Sequence, residues 1–274
     1  MAVEKYAVIG NPIEHSKSPL IHQAFAKQFS KVIVYEKVLA PLDGFDVTLQ
    51  RLRAEGYLGA NVTVPFKFEA FNACQTLSAR AQAAGAVNTL SFNERHIAGD
   101  NTDGCGLVND ILQHQHTLLA GKKVLLLGAG GAAQGVMLPL LQQKPSHLTV
   151  ANRSVDKAQA MLDKFSSHPV SGETILQVKT FVDLSLAYDI VINATSAGLT
   201  DSSLQLPVDI FQANTLAYDM MYGRETPFMQ QARAAGAQVA DGLGMLVEQA
   251  AEAFFLWHGL RPETAPVIQS FRQS

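Results

Sequence analysis

The run Gly128-Ala129-Gly130-Gly131-Ala132-Ala133 directly follows Leu125, Leu126 and Leu127. A buried strand that passes through a GxGxxA turn into a helix is the arrangement that binds a dinucleotide. Gly128 permits the tight turn, Gly130 lets the backbone approach a pyrophosphate, and Ala133 lets helix and strand pack closely. The diphosphate would rest on unpaired amides at the positive end of the helix. The end of the next strand chooses the cofactor. An NAD enzyme places Asp or Glu there, about 20 residues on, to hold the ribose hydroxyls. Here Thr149-Val150-Ala151 runs into Asn152-Arg153-Ser154, with Lys157 one helical turn further and no carboxylate at that spot. Arg153 offers a planar fork to a 2′-phosphate. Arg153 and Lys157 also read as solvated charges opening a surface helix, but cations there oppose the helix dipole. The balance favours NADP.

A second set of polar residues lies upstream. Residues 10–19, 61–67, 85–89 and 99–104 each follow or flank an apolar run and supply Ser16, Ser18, Asn61, Thr63, Lys67, Asn88 and Asp103. In an open α/β sheet, groups beyond the carboxyl ends of the strands converge on one crevice. Hydroxyl and amide side chains there suit a small polyhydroxylated ligand, since each buried oxygen needs a partner. Plainer readings stand beside this one. Ser18 is the expected N-cap of the helix that follows it, with Pro19 at the first helical position. Asn61 and Asn88 could bond local backbone only, and Asp103 could cap a helix. Gln249 fits the boundary of an amphipathic helix. Lys67, flanked by Phe66 and Phe68, is either a proton-transfer group or an ordinary surface lysine.

The elements that must position these residues fall into two segments of different texture. In the first, strands are expected at 6–9, 32–38 and 59–64, and helices at 19–29, 45–54 and 66–73. Residues 86–92 and 96–99 bracket Asn93 and Glu94 as a hairpin. The second segment follows a helix at 104–114 and a loop ending at Gly121. It reads as strand 123–127, helix 130–141, strand 147–151, helix 155–165, and strands 190–193 and 215–219. Helices at 243–257 and 262–272 close the chain, the first with Leu243, Leu246, Val247, Ala250, Phe254 and Trp257 on one face. Alternation of this kind implies an α/β fold with mainly parallel sheets.

Bulk properties narrow the class. A chain of 274 residues exceeds what one core usually needs. The formal net charge of -3 and the absence of a Lys/Arg cluster argue against nucleic acid. Residues 124–141 lack charge, yet their glycines and Pro139 break any membrane span. Cys74 and Cys105 form no CxxC and read as small buried hydrophobes in a reducing cytoplasm. His114 and His116 sit two apart, so a helix would point them to different faces, and no metal is expected.

The motifs HSxSP, NVTxPxK, GAVNT, NTDG, GAGGAA, NR[ST] and DGLGMLxxQA occur here in order from Gly10 to Ala250. In that series the chain resembles the shikimate/quinate dehydrogenase family over nearly its whole length. The resemblance implies a substrate-binding domain over 1–103, with 242–274 packing back on it, and a Rossmann-like NADP-binding domain over 104–241. It implies reversible NADPH-dependent reduction of 3-dehydroshikimate to shikimate, in the cytoplasm, by a monomer or homodimer. Lys67 and Asp103 would be the catalytic pair. Ser16 and Ser18, with Thr63 and Tyr222 nearby, would hold the substrate carboxylate. Asn88, Asp103 and Gln249 would hold its ring hydroxyls, and Asn61 would belong to the substrate-binding set. Gly128, Ala129, Gly130, Gly131, Ala132, Ala133, Asn152, Arg153, Ser154, Lys157 and Thr195 would bind NADP, with Met220 and Gly242 beside the nicotinamide. One departure is Ala79, where the family often has an acidic residue. Rival readings are quinate as a substrate, NAD as a cofactor, or a non-catalytic ligand sensor. A sensor has no need of Lys67 or Asp103, and both are present.

Overall fold

The computed structural model describes residues 3–93, 96–166, 169–185, 187–197 and 204–273. The hairpin position Glu94 lies outside them. The chain divides into two compact units. One comprises Met1–Gly106 and Leu246–Ser274, the other Leu107–Met245. The expected boundaries, at 103 and 242, fall a few residues earlier.

In the first unit, β1 (Glu4–Gly10), β2 (Ile33–Leu39), β3 (Gly59–Val62), β4 (Thr76–Leu77), β5 (Thr89–Phe92) and β6 (Ile97–Asp100) form one sheet. Their spatial order is β2-β1-β3-β5-β6-β4. β1 pairs in parallel with β2 and β3, and β4 in parallel with β6, whereas β5 runs antiparallel to both β3 and β6. This sheet is mixed: the single strand β5 runs against both of its neighbours, and the others are paired in parallel. Residues 86–88, expected as strand, stay outside β5, because Asn88 turns its side chain to local partners described below. β3 likewise stops at Val62, one residue before Thr63.

Helices α1 (Ser18–Gln28), α2 (Phe45–Ala54), α3 (Lys67–Ala73) and α4 (Ala79–Ala84) accompany the sheet. Ser18 does not cap α1. The helix begins at Ser18 itself, after Lys17, with no side-chain cap, and the buried serine hydroxyl is engaged elsewhere. The last two helices, α9 (Leu243–His258) and α10 (Ala265–Arg272), pack Val247, Ala250, Phe254, Val267 and Ile268 against Ile21 and Phe25 of α1. That face carries the helical spacing read in the sequence.

The second unit holds β7 (Lys123–Leu127), β8 (His147–Ala151), β9 (Ile175–Lys179), β10 (Ile190–Asn193), β11 (Leu216–Asp219) and β12 (Gln238–Ala240). Every pairing is parallel, in the order β12-β11-β10-β7-β8-β9. Chain order therefore reverses direction between β10 and β7, the switch point at which doubly wound sheets bind dinucleotides. Leu125, Leu126 and Leu127 are fully buried, as a strand covered on both faces requires. α6 (Gly131–Gln142), α7 (Val155–Ser166) and α8 (Pro227–Ala234) complete this unit. At the start, α5 (Asp103–Asn109) passes into a π-helical turn over Asp110–His114. The carboxylate of Asp110, wholly buried, accepts from the Tyr218 hydroxyl at 2.5 Å.

Candidate active site

In the first unit the segments after β3 and β6, the turn before β5 and the middle of α9 supply one continuous hydrogen-bonded set. Lys67 opens α3, immediately after Phe66, whose buried ring stacks on Phe45 with centroids 5.1 Å apart. The apolar anchor on one side leaves the half-buried ammonium free to turn the other way. Its Nζ lies 2.5 Å from Asp103 Oδ2. The Lys67 carbonyl also accepts the Val87 amide at 2.9 Å, which ties α3 to the 85–89 loop.

Asn88 is buried and almost fully used inside the protein. Its Nδ2 donates to Asp103 Oδ1 at 2.7 Å and Thr102 Oγ1 at 3.0 Å, and lies 3.5 Å from Gln249 Oε1. Its Oδ1 accepts the Thr102 amide at 2.8 Å and the Thr89 hydroxyl at 2.9 Å. Asn88 thus orients Asp103 at least as much as it faces any ligand. Asp103 is the first residue of α5, and its two carboxylate oxygens accept from Lys67 and Asn88.

Asn61 sends Nδ2 to the Asn88 carbonyl at 3.1 Å and Thr89 Oγ1 at 3.0 Å, and its Oδ1 receives the Tyr35 hydroxyl at 2.7 Å. An amide with both donors spent can serve a ligand only as an acceptor. Burial holds the Tyr35 hydroxyl protonated well above the usual phenol range. Ser16 Oγ lies 3.2 Å from Ser18 Oγ. Asn61, Asn88, Asp103, Lys67 and Gln249 therefore belong to one network, while Ser16 and Ser18 pair with each other at the start of α1. Thr63 stands close by, its Cγ2 near enough to Gly10 that a Cβ there would fall 2.6 Å away. Tyr222 belongs to the second unit, on the turn after β11, and burial pushes its hydroxyl upward in pKa.

In the second unit a cavity of about 800 Å³ opens at the switch point. Gly128, Ala129, Gly130, Gly131, Ala132, Asn152, Arg153 and Thr195 line it. Gly128 has φ +105°, which glycine alone adopts readily, and a Cβ there would press on the Ala194 carbonyl at 3.2 Å. At Gly130 and Gly131 a Cβ would meet nothing within 4 Å, so open space lies beside the backbone there. First-turn amides of α6 have no intrahelical acceptor. A cradle of free amides with an exposed guanidinium at its rim fits a diphosphate and a further phosphate. Ala133 is buried inside α6, as close helix–strand packing demands.

Ser154, Lys157, Met220 and Gly242 are not among the lining residues. Ser154 offers its carbonyl to Asn152 Nδ2 at 2.9 Å, and Lys157 is exposed on α7. Gly242 packs on Met220, where a Cβ would come 2.2 Å from the Met220 carbonyl oxygen. A buried carboxylate sets this corner. Asp219 accepts from Asn193 Nδ2 at 3.1 Å, the Thr226 hydroxyl at 2.5 Å and the Met221 amide at 3.0 Å. Asn193 Oδ1 in turn takes the Thr195 hydroxyl at 2.7 Å.

Sequence reasoning missed several participants. Tyr35 sat unremarked in a strand, although a lone phenol in an apolar alternation must find a polar partner. Thr89 and Thr102 stood within quoted motifs without a role. Thr180, Phe181 and Val182 line the cavity from the end of β9, a strand not read from the sequence. The two cysteines are half-buried rather than buried. Burial pushes the Cys74 thiol up to about 11 and the Cys105 thiol up to about 12, so neither presents a thiolate near neutral pH.

Comparison with known proteins decides the family. Residues 8–90 match the shikimate dehydrogenase substrate binding domain, 110–200 the shikimate/quinate 5-dehydrogenase model, and 242–270 the shikimate 5'-dehydrogenase C-terminal domain. The shikimate dehydrogenase (NADP(+)) of Methylobacillus flagellatus is 58% identical, over 98% of this chain and 99% of that one. The chain belongs to the shikimate dehydrogenase family. Among solved structures, an Ael1 enzyme from Pseudomonas putida superposes with a TM-score of 0.92 at 44% identity, covering 97% of each chain. The shikimate 5-dehydrogenase of Thermus thermophilus, solved in complex with NADP(H) and shikimate, gives 0.87 at 31% identity over 99% of each chain. The two-domain α/β architecture expected of a shikimate dehydrogenase is the one observed, with the C-terminal helices in the N-terminal unit.

Proposed function

We propose that this protein catalyses the reversible, NADPH-dependent reduction of 3-dehydroshikimate to shikimate. The observation that carries the reading is the 2.5 Å contact between Lys67 and Asp103, set inside a network of hydroxyls and amides. Bound NADPH supplies hydride to the ring carbonyl carbon. The carbonyl oxygen gains negative charge as that bond forms, and a cation placed against it lowers the barrier. Lys67 Nζ, protonated and held by Asp103, donates its proton to that oxygen, leaving a hydroxyl and a neutral amine. In the oxidative direction the neutral amine takes the hydroxyl proton as hydride leaves the carbon.

Ser16 and Ser18 present adjacent hydroxyls that can donate to a carboxylate, with Thr63 close by, and Tyr222 is assigned there from the family pattern. Asn61 accepts from one ring hydroxyl, and Asn88, Asp103 and Gln249 serve the others. The glycine turn, Asn152, Arg153, Ser154, Lys157 and Thr195 hold NADP, with Met220 and Gly242 beside its nicotinamide. Two free cysteines go with action in the reducing cytoplasm as a monomer or homodimer. Among the described residues no helix is long and apolar enough to cross a membrane.

The test is a spectrophotometric assay of shikimate and quinate, each with NADP and NAD. NADPH formation with shikimate, well above the other three pairings, is expected. Absence of turnover with shikimate under both cofactors would remove the assignment.

A further inference from the structure

Asp103 and Gln249 reach the network from different elements, and one side chain grips both supports. Arg80 is the second residue of α4, a helix capped by the Ser78 hydroxyl, which accepts the Ala81 amide at 3.2 Å. Its Nε donates to Asp100 Oδ1 at 2.6 Å and its Nη2 to Asp100 Oδ2 at 2.9 Å. Two parallel bonds fix the carboxylate in the guanidinium plane, which a lysine could not do. The same Nη2 donates to Glu252 Oε1 at 3.0 Å.

Each grip leads to a site residue by a short path. Asp100 Oδ1 also accepts the Asn101 amide at 2.7 Å, and Asn101 Oδ1 accepts the Asp103 amide at 3.2 Å. Asn101 Nδ2 closes the loop on the Ala86 carbonyl at 3.0 Å. The backbone that presents Asp103 to Lys67 is thus pinned through Asp100. On the other side, Glu252 stands one helical turn beyond Gln249 on α9, so the same face carries both. Arg261 holds its second oxygen at 3.0 Å.

The four charges balance, two positive against two negative. Side-chain exposure of 22% at Arg80, 16% at Asp100 and 13% at Glu252 means that little of the attraction is lost to solvent. Burying such a cluster yields little net stability over apolar packing, which leaves geometry as its product. We propose that Arg80 is a positioning residue, setting Asp103 against Lys67 through Asp100 and setting Gln249 through Glu252. The inference rests on the roles given above to Lys67, Asp103 and Gln249.

The two paths predict separable effects. Asp100→Asn should lower kcat for shikimate oxidation about 10- to 100-fold, the cost of roughly 1 Å of misplacement, with KM little changed. Glu252→Gln should raise KM for shikimate several-fold with kcat near wild type. Arg80→Lys should show both effects, and Arg80 cannot be replaced by a charge alone. Crystal structures of the variants should show the Lys67–Asp103 contact opened in Arg80→Lys and Asp100→Asn and kept in Glu252→Gln. Variants that lose melting temperature while keeping kcat, KM and that contact would reduce Arg80 to a fold-holding residue. If the unsubstituted enzyme fails to oxidise shikimate, the functional reading falls. The Lys67–Asp103 distance in Arg80→Lys and Asp100→Asn still decides the role of Arg80, since an unchanged distance in those two overturns it.

Discussion

Asp103 meets Lys67 through one carboxylate oxygen and keeps the other for Asn88, at 2.5 and 2.7 Å respectively. A carboxylate divided in this way fixes the direction of the ammonium as well as its charge. Removing the ammonium deletes the proposed proton donor, so Lys67→Ala should cut turnover by about two to four orders of magnitude. Asp103→Asn should also depress kcat strongly, because the new amide offers one acceptor oxygen to two donors, the Lys67 ammonium and Asn88 Nδ2, and turns its NH2 against one of them. Steady-state kinetics in both directions check this. Turnover near wild type for Lys67→Ala, with only KM altered, would contradict the assigned role.

Arg153 stands exposed at the rim of the cavity, in the position where an NAD enzyme carries a carboxylate. A charge-assisted hydrogen bond contributes about 1.5–3 kcal/mol. Loss of one in Arg153→Ala should therefore raise KM for NADP by about 10- to 100-fold and leave KM for NAD nearly unmoved. Equal weakening toward both cofactors would mean that Arg153 supports the loop and does not read the 2′-phosphate.

Much of the second unit was legible because its elements obey simple rules. Residues 123–127, 147–151 and 190–193 are apolar runs between turn signals, and strands form over those same residues. The mixed sheet of the first unit was harder. Its β4 is only Thr76–Leu77, too short to show a period; in the second unit the edge strands β9 and β12 were the obscure ones, because exposed residues dilute their apolar signal. The site residues themselves stood out by type at strand ends. What the sequence hid was who holds them. Tyr35 and Asn61 are far apart in the chain, as are Arg80 and Glu252, and pairing across such distances is decided by tertiary packing that no local spacing encodes. Ser18 shows the same limit from the other side. A serine before a helix is a good N-cap by local rules, yet this one is buried as the first residue of α1, its hydroxyl 3.2 Å from that of Ser16.

His22 offers a prediction about stability rather than catalysis. It lies one turn after Ser18 on α1, wholly buried, stacked on Tyr35 with ring centroids 4.3 Å apart. Phe25, Phe254 and Trp257 surround it, and neither ring nitrogen has a hydrogen-bond partner. Burial, reinforced by His258, pushes its pKa from 6.5 down to about 3. The unfolded chain therefore takes up this proton as pH falls through 6.5, while the folded protein does not until about 3. Stability from this group is complete above 6.5 and is lost on the way down, by about 1.4 kcal/mol per pH unit. His22→Phe keeps a ring in the aromatic cluster and removes the titration. Denaturant unfolding at pH 7 and pH 4.5 should show wild type losing more stability than the variant, by a margin approaching one proton's worth of slope. His258, whose pKa burial also lowers, titrates in both proteins and drops out of the difference. Parallel pH profiles for the two proteins would show that His22 already carries its proton in the fold, against the reading of a neutral ring packed among aromatics.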